Sequence, residues 1–406
     1  MNHVLRSIKR SLGTITAELW ADGRGWILIA VAVGWALSIG VRFVYPALVP
    51  FFRAEFGIGL STVGLLLTAL WGAYAVGHVP GGILGDRIGE GNILVLSTAI
   101  SAGAVLVVAT SVTVWMFFAG TIAFGLATAL YGPTRFTILT DLYSEESGAA
   151  VGLTMAAGSI GNTVFPAAAA LIATYLTWRF GFGVFVPLFA AVVVVLWLSV
   201  PGRTSGSTSA VDELSMETVR RVLDGITVGS VPVVVSIQAS VSFIIQGFTS
   251  FYPAYLIATK GLSPGVAAGL LGLFFAIGAV VQPISGSLMN RIGTRNALLA
   301  FLSGCVVALW ILPFAQGLVP LVLVTVLFSS WNGCGVVTQT YIADSLPADM
   351  QGTGFGTVKA GWMVFGATAP FLIGVLADFG YFDVGFLLLA AVGTVGVIGS
   401  LLYLPE

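Results

Sequence analysis

Three cations stand inside apolar stretches long enough to cross a bilayer: Arg42, Arg135 and Lys359. Counted from Trp26 at 1.5 Å per residue, Arg42 lies about 24 Å along a helix, too deep to snorkel back to the inner surface. No carboxylate is comparably deep, since Asp141 and Asp344 fall at one set of stretch ends and Asp378 and Asp383 at the other. A buried cation needs an anionic partner, and where the chain supplies none a bound anion can serve. The planar fork of an arginine matches two oxygens of a carboxylate or phosphate. Anion binding led by Arg42, with Arg135 and Lys359 beside it, is therefore the chemistry we expect. Rival readings give Arg42 to backbone carbonyls at the Pro46 break or to the outer surface, and Arg135 to snorkelling or a gate pair with Asp344. Lys359 carries the same ambiguity.

His78 is an anion contact or protonation site on this reading, and otherwise a packing histidine. Gln246, Asn332 and Tyr252 either orient a small ligand or bond across helices. The two cysteines, Cys305 and Cys334, lie in apolar runs and form no disulfide, zinc or redox pattern. With only His3 and His78 as histidines, no nucleophile–base or metal set exists. An enzyme is not expected, and no cofactor.

These residues must be held by helices in lipid. Of 406 residues 57% are hydrophobic and 8% charged, against roughly a quarter charged in soluble domains. Such a chain cannot cover a water-facing surface, so the bilayer is its principal partner. The net charge of −1 is spread out, which excludes a nucleic-acid patch. Breaks at charges and at Gly or Pro predict twelve spans: 26–51, 62–84, 92–111, 115–142, 149–175, 180–200, 231–258, 265–288, 296–314, 318–343, 353–377 and 383–404. Residues 1–25 read as a basic cytoplasmic segment, 26–200 and 231–406 as two six-helix bundles, and 201–230 as a cytoplasmic linker with a short surface helix over 211–223. With the N-terminus inside, ten Lys and Arg fall in inner segments and three (Arg53, Arg179, Lys260) in outer loops. That bias puts both termini in the cytoplasm.

The two bundles repeat. At an offset of 204, Gly82-x-x-x-Asp86-Arg87-x-Gly89 falls on Gly286-x-x-x-Asn290-Arg291-x-Gly293, Gly152 on Gly356, Pro166 on Pro370 and Phe182 on Phe386. Gln246 falls opposite Arg42, so the deep arginine has no charged mate. The segment Gly82–Gly89 resembles the signature loop of the major facilitator superfamily, and the six-plus-six plan is similar to that family's along the whole chain. The resemblance implies an all-α fold of two six-helix bundles related by pseudo-twofold symmetry. It also implies alternating access without ATP hydrolysis, working on a small molecule bound between the halves. Spans 1, 4, 7 and 10 line the cavity in that family. Gly82, Asp86, Arg87 and Gly89, with Asn290 and Arg291, are then expected to gate the cytoplasmic side. Two departures bear on the gate: Glu90 stands where a basic residue is usual, and Asn290 replaces the second acid. They leave room for an Arg87–Asp141 pairing.

Two subfamily patterns fail. The glycine run of proton-coupled drug antiporters is broken at Phe165-Pro166, and their span-4 arginine is missing. Asn162 after Gly161 echoes the nitrate branch, whose paired arginines are absent. We expect a monomeric plasma-membrane transporter of small organic or inorganic anions, with a proton-coupled exporter of drugs or neutral solutes as the alternative. Without a deep carboxylate, coupling is expected through facilitated diffusion, anion exchange, or protonation of His78 or the substrate.

Overall fold

The computed structural model describes residues 19–20, 24–144, 146–204, 230–345 and 353–404, without the side chains of 79, 80, 82, 83, 86, 353, 354 and 357. Most of the expected N-terminal segment, all but 19–20 and 24–25, and the surface helix at 211–223 lie outside these residues. Twelve helices are long and apolar enough to span a membrane: α1 Arg24–Phe56, α2 Leu60–Ile88, α3 Glu90–Ala109, α4 Val114–Leu142, α5 Ser147–Tyr175, α6 Trp178–Ser199, α7 Val231–Lys260, α8 Pro264–Ile292, α9 Thr294–Phe314, α10 Leu318–Ser345, α11 Thr353–Ala367 continued by Ala369–Asp378, and α12 Phe382–Tyr403. No strand occurs among the described residues.

The helix ends repeat at the offset read from the sequence. Leu60, Glu90, Val114 and Trp178 begin helices in the first half, and Pro264, Thr294, Leu318 and Phe382 begin their mates 204 residues later. The chain reverses on positive-φ glycines at matched places, Gly57 (63°) with Gly261 (69°) and Gly89 (100°) with Gly293 (82°), a conformation other residues adopt only under strain. Phe124 and Phe182 fill the first bundle, and their mates Phe328 and Phe386 the second, all four fully buried. The fold is thus two six-helix bundles related by pseudo-twofold symmetry.

Two corrections to the predicted boundaries follow. α1 runs on past Arg53 and Glu55 to Phe56, because Arg53 Nε finds the Ile58 carbonyl at 3.3 Å and Glu55 pairs with Arg179 and Trp178. The segment expected as a loop, from Gly82 on, is the helical end of α2, and the turn is confined to Gly89. A Cβ on Gly89 would strike the Gly202 carbonyl, so close approach as well as φ requires glycine there.

The bundles meet along α2 with α11 and α5 with α8. We call the face holding Gly89, Leu142, Gly202 and Tyr403 the terminal face. At the other face, Asp378 ends α11 and serves the start of α2. Its Oδ1 accepts from the Leu60 N–H at 2.6 Å, and its Oδ2 accepts from the Ser61 N–H at 2.8 Å and the Ser61 hydroxyl at 2.5 Å. A carboxylate at a helix N-terminus satisfies orphan N–H groups and complements the dipole. Beside it, Gly64 packs on the Pro370 carbonyl, Gly374 on the Leu60 carbonyl, and Thr68 Oγ1 accepts from the Phe371 N–H at 3.2 Å. Gly272 of α8 lies against the Thr163 backbone of α5. Nearer the terminal face, Gly152 of α5, Gly286 of α8 and Gly356 of α11 border open space. The halves are closed at the face opposite the termini.

Asp378 is an exposed cap, so screening trims its worth within the roughly 0.5–2 kcal/mol range of cap substitutions. Asp378→Ala is expected to shift the two-state equilibrium roughly three- to tenfold toward opening at that face. Maleimide labelling of a cysteine placed at Ser61 checks it against a wild-type-Asp378 control carrying the same cysteine; equal labelling rates would contradict the cap's role.

Candidate functional site

The helix that carries Arg42 is interrupted at that residue. Pro46 has no N–H for the Arg42 carbonyl, and α1 tightens into a 3-10 turn over Val41–Phe43. Arg42 is 1% exposed. Its Nε donates to the Ser38 carbonyl at 3.0 Å, and its guanidinium lies 3.7 Å from the Tyr74 ring centroid and 5.4 Å from that of Trp71. Nη2 is buried with no hydrogen-bond partner. Arg42 therefore does not snorkel, and one backbone carbonyl satisfies only part of its donors. It is a desolvated cation on an aromatic face with an open hydrogen-bonding end.

Arg135, two residues past Pro133 in α4, is also 1% exposed. It stacks on Trp35 at 3.7 Å and on Phe136 at 4.4 Å. Its Nη1 reaches Thr154 Oγ1 at 3.4 Å and Nη2 the Met155 sulfur at 3.5 Å, while Nε has no partner. Asp344 is exposed and makes no ion pair with it, so the gate pair is absent. Trp35 precedes Arg42 by seven residues and shares its face of α1, about 10 Å away along the axis. The two arginines thus lie along one side of α1.

α2 and α11 bring the other cation in. Leu60 meets Asp378, Thr68 meets Phe371, and Trp71 and Tyr74 share an apolar cluster with Met363 and Ala367. One turn further along each helix sets His78 level with Lys359. Lys359 is half-buried. His78 stands edge-on to the Tyr74 ring at 4.4 Å, with Nδ1 2.8 Å from the Tyr74 carbonyl, and a Cβ on Gly132 would lie 3.6 Å from its Nε2. Every carboxylate among the described residues sits at or beside a helix end.

The structure separates the remaining candidates. Gln246 is buried with Oε1 unpartnered. Tyr252 is packed inside the second bundle, stacked on Phe248 at 4.3 Å with its hydroxyl 2.6 Å from Thr325 Oγ1; its polar end is already taken. Asn332 donates to the Ser329 carbonyl at 3.0 Å and accepts from Gln282 at 3.4 Å. At the gate, the side chains of Gly82 and Asp86 lie outside those described. Arg87 does not pair with Asp141. The Arg87 carbonyl accepts from Arg203 Nη2 at 2.8 Å, and Asp141 accepts from the Thr204 hydroxyl at 2.9 Å. The first linker residues, close in space to both, take these partners. Asn290 and Arg291 are exposed.

The sequence reading passed over the aromatic groups that carry the cations: Trp35, Trp71 and Tyr74. A signal existed, since Trp71, Tyr74 and His78 fall at i, i+3 and i+7 on one face of α2, and Trp35 is two turns before Arg42.

With this geometry, comparison with known proteins is informative. Residues 27–338 match the Major Facilitator Superfamily, and the chain belongs to that family of membrane transporters. It is 25% identical over 292 residues to the uncharacterized MFS-type transporter YwfA of Bacillus subtilis (strain 168), covering 69% of each chain. It is 23% identical over 380 residues to the probable sulfoacetate transporter SauU of Cupriavidus necator, covering 88% of each. Among solved structures, a bacterial homolog of the human lysosomal transporter Spinster, inward-facing and occupied, superposes with a TM-score of 0.74 at 14% identity, over 94% of this chain and 96% of that one. That likeness is one of fold.

Proposed function

We propose that this multi-pass membrane protein carries small organic or inorganic anions by alternating access, binding them at Arg42, Arg135 and Lys359. One observation carries the reading: Arg42 is buried against Tyr74 where the described residues supply no deep carboxylate, and its Nη2 has no partner. An unneutralised guanidinium in a low-dielectric interior is unfavourable by several kcal/mol, and an anion relieves that penalty while supplying the missing acceptor. We assign His78 of α2 and Gln246 of α7 polar contacts to the cargo. Similarity to a probable sulfoacetate transporter supports the anionic class. The Lys and Arg bias supports an orientation with the terminal face in the cytoplasm.

Ligand-induced stabilisation in detergent tests the site. A ligand at ~100 times its Kd stabilises by about 2.7 kcal/mol, enough to raise Tm by a few degrees. Sulfoacetate, phosphate, sulfate and 2-oxoglutarate are each compared with chloride at equal ionic strength. We expect at least one to raise Tm in the wild type and not in Arg42→Ala. Stabilisation by sugars or amphipathic drugs alone would move the protein to the exporter class.

A further inference from the structure

His78, half-buried, stands between the two arginine–aromatic pairs. On one side its ring abuts Tyr74 at 4.4 Å, and Tyr74 carries the Arg42 guanidinium at 3.7 Å. On the other, a Cβ on Gly132 of α4 would lie 3.6 Å from His78 Nε2 and 4.0 Å from Cζ3 of Trp35, on which Arg135 is stacked at 3.7 Å. The two ring nitrogens of His78 differ in what they can do. Nδ1 lies 2.8 Å from the Tyr74 carbonyl one turn earlier in α2. A carbonyl can only accept, so Nδ1 holds the hydrogen and donates it. An ordinary imidazole, with a pKa of roughly 6.5, is neutral at pH 7.5, which leaves Nε2 a bare lone pair. Nε2 has no hydrogen-bond partner among the described residues. Gly132 keeps it uncovered, because any larger residue there would begin in contact with it.

We propose that the cargo is an anion with its own hydrogen-bond donor, an O–H beside its charged oxygens, and that His78 Nε2 selects it. This rests on the anion reading of the site. Arg42 and Arg135 bring donors only, so they hold oxyanions of suitable size without telling one from another. Nε2 adds an acceptor beside the rings that carry them. A hydroxy acid or a hydrogen phosphate answers it with an O–H. Sulfate, a sulfonate or an unsubstituted dicarboxylate turns a lone pair toward a lone pair there. A polar group aimed at a substrate hydroxyl rejects the analogue that lacks it, because the group is then left unpaired. The tautomer, fixed by the Tyr74 carbonyl, thus sets the class of cargo. Of the anions compared above, phosphate is the better ligand by this criterion and sulfoacetate a weak one.

Two matched pairs read the selection. Malate differs from succinate, and phosphate from sulfate, chiefly by an O–H donor at pH 7.5. Affinities of the purified full chain for all four are measured by calorimetry at that pH and at equal ionic strength. The wild type is expected to bind the donor-bearing member of at least one pair at least about tenfold more tightly than its mate. His78→Phe keeps a flat ring and loses the acceptor, so the ratio should fall toward one. His78→Gln, whose amide oxygen can accept in place of Nε2, should keep part of the preference. Gly132→Ala, whose methyl has room at 3.6 Å from the nearest side-chain atom, should lower the ratio by covering Nε2. Equal binding of both members of each pair, lost in Arg42→Ala, overturns the selection and leaves the anion site standing. A wild type that prefers sulfate and succinate overturns it too, since a proton on Nε2 would produce that order. A tenfold ratio unchanged in His78→Phe removes His78 from the selection. Binding of none of the four removes the anion reading and this proposal with it.

Discussion

Arg42→Ala is expected to lower anion transport by about thirtyfold or more while the protein remains folded and in the membrane. Removing one partner of a buried charge pair weakens binding by roughly 2–5 kcal/mol, and every 1.4 kcal/mol is a factor of ten in affinity. The fold survives because Arg42 anchors little of it: one bond to the Ser38 carbonyl and a stack on Tyr74. Deleting it also removes the penalty of a desolvated charge. Arg42→Lys separates charge from shape. The ammonium keeps the cation but loses the planar fork and its stacking on the ring, so transport should fall about tenfold, mostly through KM. Size-exclusion elution and helical circular dichroism verify folding, and initial uptake rates verify function. Wild-type affinity in Arg42→Ala would remove Arg42 from the site.

The second large effect belongs to Asp86. At one face the acid ending α11, Asp378, serves the start of α2. Asp86 lies near the end of α2, and the antiparallel α11 begins at Thr353. When the terminal face closes, Asp86 is expected to serve the start of α11 in the same way. Asp86→Asn keeps the side chain's size and loses its charge at a helix N-terminus, an effect of roughly 0.3–1 kcal/mol and up to ~2 in partly buried geometry. Turnover should fall roughly three- to tenfold, with anion affinity within twofold of wild type, because the substitution acts on the conformational equilibrium rather than the site. A change in affinity as large as the change in rate would contradict the latch.

The architecture was legible in the sequence because bilayer thickness and backbone satisfaction leave long helices as the natural solution for so apolar a chain. The offset of 204 recurs in helix starts and in the Gly57–Gly261 and Gly89–Gly293 turns, since a turn requiring positive φ keeps its glycine. Arg42 and Arg135 are both buried inside the first bundle. Contact was not legible. Residues 78 and 359 stand level only through the register of two helices from different bundles, and neither periodicity nor composition encodes that register. The missed pairing of Asp141 with Thr204, and of Asp378 with Leu60 and Ser61, has the same origin. Tyr252 shows the converse error, since a polar aromatic on a cavity-type helix can turn inward to a neighbour such as Thr325.

Uptake into proteoliposomes tests the central claim most directly. Purified protein, reconstituted and preloaded, is offered labelled sulfoacetate, phosphate, sulfate, 2-oxoglutarate, a neutral sugar and a cationic dye at equal concentration and ionic strength. The account predicts saturable uptake of at least one anion, competition by the other anions that bind, and loss of that uptake in Arg42→Ala. Transport of the sugar or the dye with every anion inert, unaffected by Arg42→Ala, would contradict it.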